Sequence, residues 1–387
     1  MRTYLLILVY IVFTSVGLST FVLGSAWPVM QSDLQLPLYG AGVLSFIIST
    51  GMIISSFFGG RIIKFLGTGK TLFISMIMTA IAVMCYGKLP TFNLLCAAAL
   101  PFGLGIGAMN MTSNHFLSLN YKPSHMNWMH GFWGIGATIG PLIMSYYIAH
   151  NNNWKKGYLS ISMIYFFLVI VLLFSLPLFK NVKNRLGDEN QKNEINKFSK
   201  IIKTPKLKLT LLCFFFCCAV EQTIGLWGSS YLLKTKEVSA EVAAACLSVF
   251  FAGVTIGRFV SGAVTIKVNT ITLVRIGIWI EIIGGIFLIL PFPVIFSMIG
   301  LILIGFGSSP VVPCMTQQTA QKFGKEISGT IVGYQIAFGF MGSTFIPPIF
   351  GWIASKYDIS VFPLVISFMI VILLICNNRV NMKKIKH

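Results

Sequence analysis

Long apolar runs, separated by short polar or Gly/Pro breaks, recur along the whole chain. Twelve can be counted, starting near residues 4, 39, 70, 91, 127, 156, 208, 239, 270, 294, 327 and 361. A helix needs about 20 apolar residues to cross a hydrocarbon layer of about 30 Å. The pattern therefore predicts an all-α membrane protein with twelve transmembrane helices. Leu23-Gly-Ser-Ala26 faintly resembles a leader-cleavage site, but the apolar part before it exceeds the roughly 7–15 residues of a leader core. The first run is read as helix 1.

Composition agrees with the pattern: 56% of residues are hydrophobic and 10% charged, against about 25% charged in soluble domains. The net charge of +19 would suit a nucleic-acid binder, but its distribution excludes that class. With both termini inside, 23 of the 29 Lys and Arg fall on inner segments, nine of them between Lys180 and Lys208, and 6 on outer ones. This asymmetry follows the rule that cytoplasmic loops are cationic, and it predicts cytoplasmic N- and C-termini in the cell membrane. All eight cysteines fall in predicted helices without a CxxC pair, so they are read as small core residues and not as ligands or disulfides. Gly67-Thr-Gly-Lys70 lacks the full phosphate-loop pattern. No enzyme, cofactor or metal is expected.

The polar stretch 180–207, rich in Lys and Asn, divides six predicted helices (1–179) from six (208–387) and is read as a cytoplasmic linker. The halves repeat each other. LSFIISTGMIISSFFGG at Leu44 aligns with LSVFFAGVTIGRFVSGA at Leu247 at an offset of 203, GLG at Gly103 with GFG at Gly305 at 202, and LGS at Leu23 with WGS at Trp227 at 204. Three matches near one offset imply a duplication.

The chemically loaded position is Glu221. It is the thirteenth of twenty-five residues from Leu209 to Leu233 and the only formally charged one among them. That places a carboxyl near the midplane, where it costs roughly 2.5–3.5 kcal/mol on insertion scales and marks a functional site by default. Gln222 follows it, and Gly225 and Gly228 share its helical face. Two glycines within four residues are expected to break helix 7, as in discontinuous transporter helices, turning Trp227 and Tyr231 inward as a stacking wall. The alternative puts both rings in the interfacial aromatic belt. In helix 4, Gly103, Gly107, Asn110 and Asn114 form one stripe. The two amides either offer donors and acceptors to a hydroxyl-rich ligand or bond neighbouring helices. Helices 5 and 11 match at an offset of 205, pairing His130 with Gln335; each faces the same way as nearby glycines. His130 is either an inner-cavity ligand or relay, or a solvated residue near a helix end.

Two six-helix halves related by an axis along the membrane normal describe major facilitator transporters, and local motifs resemble that superfamily. GRIIKFLGTGK, from Gly60 through Lys64 and Gly67 to Lys70, resembles the loop motif between helices 2 and 3, with Lys64 where most members carry Asp. AVEQTIGLWGSSYL, GVTIGRFVSG and GFGSSPVVPCMTQQTAQKFG resemble the fucose–galactose–glucose:proton symporter group. The resemblance implies a gating role for Arg258 by packing or charge pairing. It makes Glu281 of helix 9 a residue of an outer support, near Arg275 or Arg258. It also shows two departures: the acids often found in helices 1 and 4 are replaced by Gly24 and Asn110. Proton coupling then falls to Glu221. The expected function is proton-coupled import of a sugar or similar small polar solute by alternating access, by a chain working as a monomer in the lipid bilayer. A proton-driven exporter of drugs or metabolites is the second reading, and Gly136-Ala-Thr-Ile-Gly-Pro-Leu142 partly resembles an antiporter signature.

Overall fold

The computed structural model describes residues 2–121, 123–150, 152–179, 205–265, 267–291 and 293–381. Twelve helices among them are long and apolar enough to cross a membrane, and no strand occurs among the described residues. The expected linker 180–207 lies outside the described residues except for its last three, which open a helix. Pro205 stands at that helix's first position, where its missing N–H costs nothing and its fixed φ suits the turn.

Ten of the spans are single helices. They are α3 (Gly40–Leu66), α4 (Thr68–Lys88), α5 (Phe92–Asn120), α6 (Pro123–Ala149), α7 (Trp154–Phe179), α8 (Pro205–Lys236), α9 (Ala240–Val264), α10 (Thr270–Ile289), α13 (Lys325–Lys356) and α14 (Phe362–Asn381). The first and tenth spans are each split in two: α1 (Arg2–Thr20) and α2 (Val22–Asp33), then α11 (Val294–Ser308) and α12 (Val311–Phe323). Both splits have local causes. Before Phe21, the hydroxyls of Ser19 and Thr20 donate to backbone oxygens one turn back, Thr20 to Val16 O at 2.6 Å, and such back-bonding bends helices. At the second split Pro310 lacks an N–H for the Phe306 carbonyl. Ser309 Oγ takes that place at 2.7 Å.

The chain packs as two compact units. One comprises Met1–Leu186, Gly225–Phe251 and Pro348–Ile359, the other Gly187–Ile224, Ala252–Pro347 and Ser360–His387. In the first, α1 lies along α6 and α3 along α5, at distances that only glycine allows. A Cβ on Gly136 would fall 1.9 Å from Thr14 O, and one on Gly103 2.0 Å from Ile48 O. Where lipid is as apolar as the side chains, such close backbone approach supplies the packing energy that hydrophobicity supplies in water. In the second unit α10 packs on α11, α12 and α14.

Candidate functional site

The second unit carries a charged cluster. Glu221 projects from α8 toward Arg258 of α9, with Oε1 3.8 Å from Nη2 and both side chains about four-fifths buried (23% and 19% exposed, Arg258 first). A loosely held pair of this kind, shielded from water, is a point where charge can be made or broken. The expected charge pairing of Arg258 thus has Glu221 as its partner. Glu281, expected near Arg275 or Arg258, is fully buried on α10. Neither of its carboxyl oxygens has a hydrogen-bond partner among the described residues.

Gln335 of α13 is in the same unit and fully buried. Its amide nitrogen and the Thr319 hydroxyl of α12 are 3.0 Å apart, and Thr319 also reaches the amide oxygen at 3.1 Å. Thr319 was not singled out from the sequence; its signal was its place in TQQTAQ, a polar run inside an apolar span. Gln222 is half-buried.

The break expected in the seventh span is not there: α8 is continuous past both glycines. Its glycine serves a close approach instead. A Cβ on Gly24 of α2 would fall 1.9 Å from Gly225 O, and one on Gly225 would fall 2.4 Å from the Phe21 ring. Hydrogen bonds along the helix survive because the glycine face is filled by a neighbour. The same contact explains why Gly24 cannot be an acid here. Trp227 is wholly buried and Tyr231 2% exposed. The Trp227 ring lies 6.0 Å from that of Phe350, with Gly351 against its edge. Neither aromatic faces lipid, so the belt reading falls, and with it the helix break that was to turn them.

In the first unit, Asn114 Nδ2 donates to Asn110 Oδ1 at 2.8 Å and to its carbonyl oxygen at 2.9 Å. Both amides are half-buried. The glycines above them are covered: Gly103 and Gly107 pack against Ile48, Met52 and Ser55 of α3. His130 of α6 is exposed, its ring edge-on to Phe13 at 5.3 Å. At the loop, Lys64 and Lys70 are exposed. Gly67, between α3 and α4, adopts φ 78° and ψ 161°, a conformation nearly restricted to glycine. Gly60 meets no atom within 4 Å of a built Cβ, so packing does not require glycine there.

Twelve spans long and apolar enough to cross a membrane, two of them broken, define a polytopic helical membrane protein. The chain belongs to the Major Facilitator Superfamily, whose family pattern matches residues 9–347. Bypass of stop codon protein 6 of Saccharomyces cerevisiae is 24% identical over 402 residues, covering 93% of this chain and 79% of that protein. Synaptic vesicle glycoprotein 2C of Rattus norvegicus is 29% identical over 175 residues, 43% of this chain and 23% of its own length. Among solved structures, a mutant of the nucleoside transporter NupG aligns with a TM-score of 0.80 at 14% identity, covering 98% of this chain and 99% of that one. FucP in its outward conformation aligns with a TM-score of 0.67 at 16% identity, covering 98% and 99%. At these identities the likeness is one of fold.

Proposed function

We propose that this member of the superfamily is a proton-coupled secondary transporter that imports a sugar or similar small polar solute by alternating access. The observation that carries the reading is Glu221, a carboxyl at mid-span held loosely by Arg258 at 3.8 Å. Such a group can take up a proton when the pair opens and give it back when the pair closes. The membrane potential contributes about 2.3 kcal/mol per charge per 100 mV, enough to drive accumulation of a neutral solute with one proton. Fold neighbours described as a nucleoside transporter and as an E. coli fucose:proton symporter support a ligand bearing a sugar ring. In this reading Asn110, Asn114, Gln222, Gln335, Trp227, Tyr231 and His130 serve the solute directly or by holding its surroundings. Gly60, Lys64, Gly67, Lys70 and Arg258 serve the conformational change. The halves 1–179 and 208–387 rock about the site in a monomer with cytoplasmic termini in the cell membrane.

The test is uptake into proteoliposomes under an imposed pH gradient. Glu221→Gln keeps the shape of the protonated acid but cannot release a proton. It is expected to exchange solute across the membrane yet lose gradient-driven accumulation. Full accumulation by a well-folded Glu221→Gln protein would end the coupling role. Stabilisation by lipophilic cations and not by sugars would favour the exporter reading instead.

A further inference from the structure

The break between α11 and α12 is bordered by two helices that carry ionisable groups. Gly257, the residue before Arg258, approaches it from α9: a Cβ there would fall 2.3 Å from Ser309 Oγ and 2.8 Å from Phe306 O. From α10, Gly277 rests against Gly307 O and Pro310, at 2.4 and 2.9 Å from its built Cβ. One turn further, Glu281 lies over Gly307, whose built Cβ would meet its Cγ at 2.9 Å and its backbone nitrogen at 2.8 Å. Glu281 and the residue before Arg258 thus both border one interrupted segment of helix, and Glu221 is tied to it through its ion pair with Arg258.

The two acids are served differently. Glu221 has Arg258. Glu281 has no donor to either oxygen among the described residues. The other ionisable groups on the surrounding helices include thiols, Cys217 and Cys218 on α8, Cys314 on α12 and Cys376 on α14, and cations, Lys206 and Lys208 on α8, Lys322 on α12 and Arg379 on α14. None of these cations forms an ion pair with Glu281 among the described residues. Arg275, on α10 itself, is exposed. A buried carboxylate without cation or donor is among the costliest groups a protein can hold, whereas the protonated acid costs no more than an unpaired hydroxyl or amide.

We propose that Glu281 is a proton-binding site: it holds a proton while Glu221 is charged and paired with Arg258, so that guanidinium neutralises one acid and proton the other. When the Glu221–Arg258 pair opens, the proton passes from the Glu281 carboxyl to Glu221, and the net charge of the cluster is unchanged. The two acids then titrate as a pair, not as independent sites. The consequence for transport rests on the proton-coupled reading above; the proton on Glu281 does not.

The experiment is infrared spectroscopy of the purified full chain at neutral pH in an ester-free detergent, reading the carbonyl stretch of a protonated carboxylic acid. The expected result is a band in the unaltered protein that persists in Glu221→Gln and is lost in Glu281→Gln. Glu281→Asp keeps the acid and is expected to shift the band, which preserves the test if Glu281→Gln does not fold. Absence of the band from the unaltered protein, its survival in Glu281→Gln or an unmoved band in Glu281→Asp, or its loss in a folded Glu221→Gln would each overturn the assignment. A band that behaves as expected in a protein that shows no gradient-driven uptake would sink proton-coupled transport and leave the Glu281 site standing. Intact uptake without the band would do the reverse.

Discussion

Two polar regions of this apolar chain are built on opposite plans. On α5 of the first unit, Asn114 donates to Asn110 in a neutral, self-satisfied pair on a single helix. In the second unit, Glu221, Arg258 and Glu281 come from three helices, and among the described residues one of the two acids has no hydrogen-bond partner. Amides satisfied by each other lose little when conditions change, because no proton has to move. Acids that outnumber their cations respond to every change in pH or geometry. On the reading proposed above, solute recognition belongs to chemistry of the first kind and proton handling to the second.

The largest test of that contrast is removal of the cation that pairs with Glu221. Arg258→Met strands Glu221 in a mostly buried site, and losing one partner of such a pair costs about 3 kcal/mol. Denaturation in detergent should show the drop, and adding Glu221→Gln should restore most of it. A loss in Arg258→Met as small as that of an amide variant would mean that the pair is screened and that the contrast is false. A mid-sized effect is expected where the chain excludes an acid from its second helix. Gly24→Ala puts a methyl against Gly225 O, where the built Cβ falls at 1.9 Å, and such overpacking costs about 1–3 kcal/mol. Unchanged melting would show that α2 and α8 can separate freely.

The smallest effect belongs to the amide pair. Asn114→Ala removes a half-buried hydrogen bond worth about 1 kcal/mol. It should leave the pH dependence of transport where it was while weakening solute affinity. A shifted pH profile would move proton chemistry into the first unit.

Much of the architecture was legible because membranes read length and polarity directly. Each apolar run had to become a helix, since no other open segment satisfies its backbone in hydrocarbon. The position of the breaks was legible only in part. Glycine at 225 and 228 suggested a break in the seventh span, yet glycine only permits one, and a packed neighbour kept α8 straight. Proline at 310 removes a donor outright, so the tenth span broke where GSSP stood in plain view. Glu221 stood out by its depth alone, but its pairing with Arg258 did not, because the two residues lie 37 positions apart on separate helices.

By itself, the sequence determined that the chain spans a membrane twelve times, that its cations are distributed unequally between the loops, and that an acid stands at mid-span, because these follow from composition and from the solvation of single residues. Only the tertiary structure decided which acid has a cation beside it, that Gly24 is barred from being an acid by a carbonyl of α8, and that Trp227 is buried against α13. Those outcomes depend on approach distances of a few ångströms between distant segments, which hydrophobic spacing along one chain does not encode.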